Sequence, residues 1–467
     1  MSEQRLSPLP TGRIAALVDR ASVSVLGFGI SNRPLVRLLA RFGARLHIYD
    51  QKSPADLGDE AQDAVQSGAR FYSNMDEMPL GDMSIIFRSP GIHPDTPALR
   101  RARESGVEIS SEMAWFLEIT PATVIGITGS DGKTTTTTLT AEMLKAGGKR
   151  VFLGGNIGTP LLDRATDMTA DDFAVVELSS FQLYDLPPSV VPHRAAITNL
   201  SPNHLNWHVD MDDYVAAKTR IFDGERCTLL VTNASNDLTA AIATQQKGKR
   251  SVTLFSSDEN AQSDVRLANG VLTIKGTPIV RADEIRLPGV HNLENIMTAA
   301  ALCEGLVSPA VMRQVAMEFG GVEHRLEHVR HLRGVDYYNS SIDSSPTRTA
   351  AALSALRQPI VVICGGSDKH VSFDPLAVAL CARARAVVLT GETAPKIAAA
   401  LDACPDYDAA RLTVLYEPRF EDAVRAASAL AHEGDAVLLS PACASFDAFP
   451  NFLVRGETFK RIVKQLD

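Results

Sequence analysis

A glycine-rich segment followed by lysine and threonine contains the residue types that bind a polyphosphate. The sequence VIGITGSDGKTTTTTL begins with apolar β-forming residues and has three glycines before its lysine. Glycine lets backbone N–H groups approach phosphate oxygens closely, the following helix start attracts negative charge, lysine neutralises it, and a threonine hydroxyl suits Mg²⁺. The pattern therefore predicts a strand, a phosphate loop and a helix. The expected phosphate-binding residues are Gly129, Asp131, Gly132, Lys133, Thr134 and Thr135.

The spacing from Gly126 to Lys133 is one residue longer than in the minimal GxxxxGK(S/T) pattern. A glycine-rich turn before an ordinary helix is the alternative interpretation. The Gly-Lys-Thr-Thr sequence directly after a strand favours the phosphate loop.

Two later strand ends carry candidate metal ligands. The apolar run at 174–176 ends at Glu177, and an acidic residue at the end of a buried strand suits Mg²⁺, although it can also cap the next turn. The next apolar run, 195–198, leads into NLSPNHLNWH, which contains His204 and His208. A loop histidine is usually only a surface residue, but the position after a strand of the same sheet favours His204.

Two predicted helices after these strands carry polar residues. The helix DDYVAAKTRI holds Lys218, whose spacing alone is that of a solvated lysine. The segment HNLENIMTAA predicts a helix with Asn292 and Asn295 on one face near its start. Their amides either bind a purine edge or ribose or cap the helix. Residues 227–290, between the two helices, hold short β-like pieces and predict a peripheral hairpin region.

The first part of the chain has the opening pattern of a doubly wound α/β domain. Residues 22–50 predict a strand, a glycine turn, a helix and a strand, with Gly27 and Gly29 as the first two glycines of GxGxxG. Asn32 stands where the third glycine belongs, which favours a nucleotide-bearing ligand, held by loop backbone and Asp50, over NAD. A purely structural role of Asp50 as a cap is the alternative.

The last third of the chain alternates strand patterns with alanine-rich helical patterns. Strand signals at 360–364, 386–390, 412–416 and 436–439 predict a further open parallel sheet. The loops GGSDKH and SPACASFDAFPNFLVRG follow two of these strands, and ligands bind at the carboxyl ends of strands in such sheets.

Length and composition place the chain among multidomain globular proteins. It has 467 residues, 45% of them hydrophobic, and a formal net charge of −9. We expect no membrane span, no secretory leader and no nucleic-acid partner, because apolar runs are short and basic clusters are lacking. The six cysteines have neither pairing nor metal-ligand spacing, which favours the reducing cytoplasm.

Together, several separated motifs resemble the Mur ligases, a family of ATP-dependent amide-forming enzymes of peptidoglycan synthesis. The motifs are GITGSDGKTTT, GGNIG, VELSSFQL, NLSPNHLNWH, the AAK of Lys218, HNLENIMTAA, the pair His324-Arg325 and SPACASFDAFPNFLVRG. The resemblance implies three α/β domains: a Rossmann-like UDP-substrate-binding domain at 1–112, a central P-loop ATPase-like parallel sheet that binds ATP at 113–322, and a Rossmann-like amino-acid-binding domain at 323–467.

The resemblance also implies roles for individual residues. The metal ligands or their supports would be Thr134, Glu177, His204 and a carbamylated Lys218. The catalytic residues would be Lys133, His204 and Lys218. The ATP-binding face would add Asn292, Asn295 and Arg325 to the phosphate loop. Ile30, Ser31 and Asp50 would bind the uridine diphosphate, Asn156 would lie near the muramoyl part, and Lys369, Ser445 and Phe446 would bind an amino acid.

The last motif is similar to the family members that add D-glutamate. The implied reactants are therefore ATP with Mg²⁺, UDP-N-acetylmuramoyl-L-alanine and D-glutamate, joined through an acyl phosphate by a cytoplasmic and monomeric enzyme that supports cell shape and division. The alternatives are a Mur-type ligase or a P-loop phosphotransferase with a different acceptor.

One loop departs from the family pattern. The segment YYNSSIDSSPTRTAAAL resembles a loop that begins NDSKAT in the family, but Ser340 replaces the aspartate and Ile342 the lysine. Asp343 is a candidate to replace the lost carboxylate, and nothing obvious replaces the lysine. In the histidine motif, Asn203 stands where an acidic residue is common.

Overall fold

The computed structural model describes residues 22–205, 207–259, 261–287, 289–368 and 371–467. These residues form three sheets in two compact units, one extending to Phe319 and the other from Gly320 to Asp467. The predicted α/β class is confirmed, because every sheet is mainly parallel and alternates with helices. The bounds 1–112, 113–322 and 323–467 stay predictions.

The first sheet of the described chain has five parallel strands in the order β3-β2-β1-β4-β5. The order reverses between β1 and β4, and ligands of open α/β sheets bind at the carboxyl ends of the strands at such a reversal. The strands are β1 (Ser22–Leu26), β2 (Arg45–Tyr49), β3 (Arg70–Tyr72), β4 (Met83–Arg88) and β5 (Glu108–Ser110). The helices are α1 (Asn32–Arg41), α2 (Pro54–Leu57), α3 (Asp59–Gln66) and α4 (Pro97–Glu104).

Asn32 explains how the first glycine turn closes without the third glycine of the dinucleotide fingerprint. Its side chain is fully buried, and Nδ2 donates to the carbonyl oxygens of Leu26 (3.2 Å) and Gly27 (2.8 Å). A third glycine would leave these two carbonyls without that donor. The turn is therefore built around an asparagine side chain.

The second sheet has nine strands in the order β14-β13-β12-β11-β10-β9-β6-β8-β7 among the described residues. Its strands are β6 (Thr123–Thr128), β7 (Val151–Gly155), β8 (Phe173–Glu177), β9 (Arg194–Ile197), β10 (Leu229–Asn233), β11 (Ser251–Ser256), β12 (Val265–Ala268), β13 (Val271–Ile274) and β14 (Thr277–Arg281). Its helices are α5 (Glu112–Ile119), α6 (Lys133–Ala146), α7 (Ser180–Leu183), α8 (Met211–Thr219), α9 (Asp237–Gln246), α10 (Val290–Cys303) and α11 (Pro309–Glu318). Along this order, all neighbouring strands from β7 through β6 to β12 pair in parallel. The pairs β12–β13 and β13–β14, at the other end, are antiparallel.

The prediction of a peripheral hairpin region at 227–290 is wrong for its first half. Strands β10 and β11 continue the main parallel sheet beside β9, and α9 connects them. Only β12 to β14 form an antiparallel edge. The short strand signals did not reveal this because parallel and antiparallel strands of this length have the same local pattern.

The unit from Gly320 to Asp467 contains a six-stranded sheet in the order β15-β16-β20-β17-β18-β19. Its strands are β15 (Glu327–Leu332), β16 (Val335–Asn339), β17 (Ile360–Cys364), β18 (Ala384–Leu389), β19 (Thr413–Tyr416) and β20 (Ala436–Leu439). Its helices are α12 (Pro346–Ala355), α13 (Asp374–Arg383), α14 (Ala394–Asp402), α15 (Phe420–Leu430) and α16 (Phe452–Lys464). The four predicted strands are confirmed, and the antiparallel pair β15–β16 is an addition.

A continuous apolar core joins the first two sheets. One cluster includes Val25 and Phe87 of the first sheet, Trp115 of α5, and Val124 and Ile197 of the second sheet. No helix within the described part of the chain combines the length and apolar character needed to cross a bilayer.

Glu112 lies in this core at the start of α5, with 3% of its surface exposed. Burial raises the pKa of its carboxyl group to about 8, the nearby Asp163 acts in the same direction, and a hydrogen bond to the backbone of Leu162 opposes both. The folded protein therefore binds a proton that the unfolded chain releases above its ordinary pKa of 4.5.

We expect the free energy of unfolding to fall as the pH rises from 4.5 to about 8, because the folded state must then lose the buried proton. Each pH unit in this interval costs up to about 1.4 kcal/mol from this group. The Glu112→Gln variant removes this loss, so its urea-unfolding free energy, relative to wild type, rises with pH. Parallel pH profiles for the two proteins would contradict the assignment.

Candidate functional site

The candidate phosphate loop lies at the carboxyl ends of three adjacent strands. Strand β6 leads into residues 129–132, and its neighbours β8 and β9 end at Glu177 and just before Thr198. Because parallel strands end at the same edge, the sheet brings these segments together. The arrangement agrees with the predicted strand, loop and helix.

Two glycines of the loop are required by close approach of other groups. A Cβ atom on Gly129 would lie 1.9 Å from Thr198 Oγ1, and one on Gly132 would lie 2.2 Å from Asn295 Oδ1. Both glycines also have positive φ angles, 145° and 77°. The backbone of Asp131 donates to Asn199 Oδ1 at 2.9 Å, which fixes the loop to the segment after β9.

Helix α6 begins at the loop and carries its lysine and threonine hydroxyls. Lys133 Nζ donates to the carbonyl oxygens of Gly129 (3.0 Å) and Ser130 (2.8 Å), so the ammonium group lies over the loop. Thr135 follows in the first turn. Further along the helix, threonine hydroxyls donate to the carbonyls four residues earlier, as Thr137 does to Lys133 at 2.8 Å, which lets a threonine-rich run form a helix.

Glu177 is the acidic centre of the site. It is 2% exposed, its Oε2 accepts from Thr134 Oγ1 at 2.7 Å, and its Oε1 accepts from Asn156 Nδ2 at 3.0 Å. The backbone N–H of Asn156 also donates to the Glu177 carbonyl oxygen at 2.8 Å. A carboxylate and a hydroxyl at this position form a hard oxygen donor set, which suits Mg²⁺.

Lys218 is buried at the phosphate loop, although its spacing alone suggests solvation. Its side chain is 1% exposed, and Nζ donates to Thr128 Oγ1 (3.1 Å) and the Gly129 carbonyl oxygen (2.8 Å) and lies 4.8 Å from the centre of the Tyr214 ring. Burial lowers the pKa of this amine well below its ordinary value, and the charge of Lys133 acts in the same direction.

His204 lies beside this group and has a backbone conformation that is unusual for a non-glycine residue, with φ of 55°. Its ring packs 4.9 Å from the ring of Phe181. Burial lowers the pKa of His204, and the charges of Lys133 and Lys218 add to the shift. Both effects favour the neutral ring, the form whose nitrogen lone pair can bind a metal ion.

His208, the other candidate of this loop, has a structural environment. It is buried, with Nδ1 2.8 Å from Asp213 Oδ2 and Nε2 2.9 Å from Ser180 Oγ. Both ring nitrogens thus have protein partners, which agrees with the sequence preference for His204.

Of the two asparagines near the start of α10, Asn295 lies against Gly132 of the phosphate loop, and Asn292 lies beside Asn295. Asn295 Oδ1 accepts from Thr136 Oγ1 at 3.2 Å, and Asn295 Nδ2 lies 3.5 Å from Asn292 Oδ1. Helix α10 packs against α6. ATP binding by these two amides stays a prediction.

In the first sheet, Asp50 organises the glycine turn after β1 from within. Its Oδ2 accepts from the Phe28 backbone at 2.8 Å and its Oδ1 from the Lys52 backbone at 3.0 Å. Each oxygen keeps a further lone pair that a ligand can use, so binding of the uridine diphosphate by Asp50 stays a prediction beside this structural role. Ile30 is 74% exposed at the same turn, and Ser31 precedes α1.

In the other unit, Ser445 and Phe446 follow β20 at the carboxyl edge of the sheet. Ser445 is buried and its carbonyl oxygen accepts from Phe449 at 2.8 Å, whereas Phe446 is 74% exposed. Arg455, which sequence reasoning did not single out, donates to the carbonyls of Cys443 (3.1 Å) and Ala444 (3.0 Å) and holds this loop. The predicted Lys369 lies outside the described residues.

The loop that departs from the family pattern lies at the end of β16. Ser340 Oγ accepts from the Leu326 backbone at 3.1 Å, and Asp343 accepts from Ser440 Oγ at 2.9 Å. Burial raises the pKa of Asp343, while hydrogen bonds from the two serines and the charge of Arg325 oppose the shift. The Asp343 carboxyl group thus lies next to Ser340, which supports its interpretation as a replacement.

Sequence reasoning missed three further residues that shape the site in the first unit. Tyr214 and Ser130 form a buried hydroxyl pair at 3.0 Å under the phosphate loop, and Arg88 connects the first sheet to α7. Tyr214 and Lys218 are four residues apart in α8, a spacing that places them on one helix face. No local sequence motif identified Arg88.

Three family models match successive parts of the chain. They are the N-terminal domain of MurD-like Mur ligases (residues 21–111), the Mur ligase middle domain (127–303) and the Mur ligase glutamate ligase domain (324–443). Together they cover each of the three sheets.

Sequence relatives match nearly the whole chain. It is 43% identical over 451 residues to the UDP-N-acetylmuramoylalanine–D-glutamate ligase of Clostridium novyi (strain NT), covering 96% of this chain and 98% of the relative. It is 42% identical over 451 residues to the enzyme of the same name from Clostridium kluyveri, covering 95% and 96%.

A solved structure shares the fold. The UDP-N-acetylmuramate-alanine ligase of Thermotoga maritima superimposes with a TM-score of 0.55 at 18% identity, covering 95% of this chain and 99% of the other. With full-length relatives above 40% identity and all three family models matched in order, this chain belongs to the Mur ligase family.

Proposed function

We propose that this protein is an ATP-dependent ligase that joins D-glutamate to UDP-N-acetylmuramoyl-L-alanine during peptidoglycan precursor synthesis. The observation that carries the proposal is the convergence of the phosphate loop, the Thr134–Glu177 pair and buried Lys218 at three adjacent strand ends. The enzyme names of the full-length relatives support the choice of amino acid and nucleotide substrate.

In the proposed reaction, the carboxylate of the alanyl group attacks the γ-phosphorus of ATP, ADP leaves, and an acyl phosphate forms. The amine of D-glutamate then attacks the acyl carbon, and phosphate leaves as the amide bond forms. Lys133 neutralises charge on the transferred phosphoryl group, and the loop N–H groups orient the triphosphate. Asn292 and Asn295 contact the nucleotide from α10.

A divalent cation bound by Thr134 and Glu177 would neutralise phosphate charge, and this oxygen donor set fits Mg²⁺. His204 supports this centre. Lys218 contributes as a carbamate: its neutral amine attacks the carbon of CO₂, an N–C bond forms, and a proton leaves to solvent. The lowered pKa of Lys218 supports this step because only the neutral amine is nucleophilic.

The remaining assignments follow the same proposal. The turn with Ile30 and Ser31 binds the uridine diphosphate, with Asp50 fixing the turn, and Asn156 lies near the muramoyl part. In the other unit, D-glutamate binds to Lys369, Phe446 and buried Ser445. Arg325 contacts ATP. Location in the cytoplasm and a monomeric state stay predictions.

The test is phosphate release with each reactant omitted in turn. We expect release to require ATP, Mg²⁺, UDP-N-acetylmuramoyl-L-alanine and D-glutamate together, with product mass increased by one glutamate. L-Glutamate and UDP-N-acetylmuramate without alanine serve as matched controls and give no product. Release without an amino acid would instead indicate a phosphotransferase or ATPase, and release with another amino acid a different Mur-type ligase.

A further inference from the structure

We infer that Arg88 is a positioning residue. It holds the turn at residues 89–92 after β4, which we call the ligand turn, in a fixed position relative to the segment that follows Glu177. The inference rests on the proposed function, since it concerns how the donor nucleotide reaches the phosphate site. Arg88 ends β4 and is 2% exposed.

One set of contacts belongs to the ligand turn. The N–H groups of Arg88 Nη1 donate to the carbonyl oxygens of Ser89 (3.4 Å), Pro90 (3.3 Å) and Ile92. This turn packs on the glycine turn after β1, where a Cβ on Gly27 would lie 3.0 Å from Ser89 Cβ. Arg88 therefore organises the loop at the reversal of strand order, where a ligand of this sheet binds.

The other set of contacts belongs to the catalytic side of the second sheet. Arg88 Nε donates to Asp185 Oδ2 at 2.6 Å, and Nη2 donates to the Phe181 carbonyl oxygen at 3.1 Å. Phe181 follows Glu177 by four residues, and its ring packs against His204. A single guanidinium group thus connects the ligand turn to the backbone that carries Glu177 and supports His204.

A second contact joins the ligand turn to the catalytic side of the second sheet at the same place. His93, just after the ligand turn, lies with Nε2 3.2 Å from the Trp207 carbonyl oxygen and its ring 4.8 Å from the Trp207 ring. Trp207 in turn packs 4.6 Å from Phe181. The connection between turn and catalytic segment is therefore packed as well as hydrogen-bonded.

In the proposed function the donor must extend from its uridine diphosphate, at the glycine turn on which the ligand turn packs, to a carboxylate at the phosphate loop. A shift of about 1 Å between these two points can cost roughly a hundredfold in rate. Lysine cannot replace Arg88, because its ammonium group cannot donate along the separated directions of a planar guanidinium.

The experiment compares Arg88→Met and Arg88→Lys with Arg250→Met. Arg250 is a matched control, because its Nη1 also donates to loop carbonyls, those of Gly224 (3.3 Å) and Cys227 (3.1 Å) among them, but none belongs to the site. For each variant we measure kcat, the KM of each of the three substrates, and the urea-unfolding midpoint.

For both Arg88 variants we expect kcat/KM for UDP-N-acetylmuramoyl-L-alanine to fall at least about tenfold, with the KM values of ATP and D-glutamate within about twofold of wild type. The Arg250→Met variant loses stability but keeps all three KM values. If the Arg88 variants change only the unfolding midpoint, or raise the KM values of ATP and D-glutamate as much as that of the donor, the positioning role is wrong while the ligase function stands. A wild-type protein without D-glutamate-dependent turnover would overturn both.

Discussion

The Lys218→Ala variant is expected to lose ligase activity on the order of 10²-fold or more, the scale of removing a preorganised charge-stabilising group. The side chain is buried at the phosphate loop, 2.8 Å from the Gly129 carbonyl oxygen. As an ammonium group it cannot bind Mg²⁺, whereas a carbamate offers two carboxylate oxygens beside Glu177. The measurement is D-glutamate-dependent phosphate release at saturating ATP.

Rescue distinguishes a lost carbamate from a damaged fold. Alanine leaves a space next to Thr128 and Tyr214, which acetate or formate can enter, so these anions are expected to restore part of the rate. Bicarbonate is expected to restore none, because no amine remains to react with CO₂.

The control is Lys275→Ala, since Lys275 is exposed and its ion pair with Glu304 lies away from the phosphate loop. We expect this variant to keep wild-type activity. Wild-type rates in Lys218→Ala would remove the carbamate from the mechanism. A loss of rate with an unfolding midpoint lowered far below that of wild type, and no rescue by acetate, would indicate a structural role instead.

The sequence predicted which segments meet at the phosphate loop because its signals are local. The phosphate loop is one continuous motif, and Glu177 and His204 follow buried strands whose parallel pairing brings their ends to one edge. The spacing of residues in the helix suggested a solvated Lys218, because periodicity defines a helix face but does not show which neighbouring element covers that face. Only packing of α8 under the loop buries that amine.

Long-range polar contacts were beyond sequence reasoning for a different reason. Arg88 and Asp185 are 97 residues apart, and neither belongs to a recognisable motif. Asn32 looked like a defect in a glycine fingerprint, yet its side chain supplies the donor that closes the turn. For Asp50, the sequence did not reveal that its two carboxylate oxygens accept from the backbone N–H groups of Phe28 and Lys52. Side-chain hydrogen bonds of this kind depend on the tertiary fold.

The Gly132→Ala variant is the second large effect that we expect. Gly132 caps the start of α6 with φ of 77°, and a Cβ atom there would lie 2.2 Å from Asn295 Oδ1. The methyl group must displace either the loop or the asparagine that contacts Thr136, and both belong to the proposed nucleotide site. We expect kcat/KM for ATP to fall by roughly 10 to 100-fold, measured by initial rates at saturating D-glutamate and donor.

Gly148→Ala separates backbone strain from the clash. Gly148 has the same φ of 77°, but no atom lies within 4 Å of its Cβ position. Both variants carry the left-handed penalty of about 1 to 2 kcal/mol, whereas only Gly132→Ala should impair ATP use. Equal kinetic losses in the two variants would assign the effect to backbone strain alone.

A double-mutant cycle with Asn295→Ala tests the clash directly. Removing the asparagine amide leaves room for the new methyl group, so Gly132→Ala should cost less kcat/KM for ATP in that background than in wild type. Additive losses would mean that the two residues act independently, and that the glycine is required for loop conformation rather than for the approach of α10. The predicted contact is between one methyl group and one amide oxygen. The sign of the coupling energy in kcat/KM for ATP therefore shows whether the glycine is needed for the close approach of α10 or for the loop conformation.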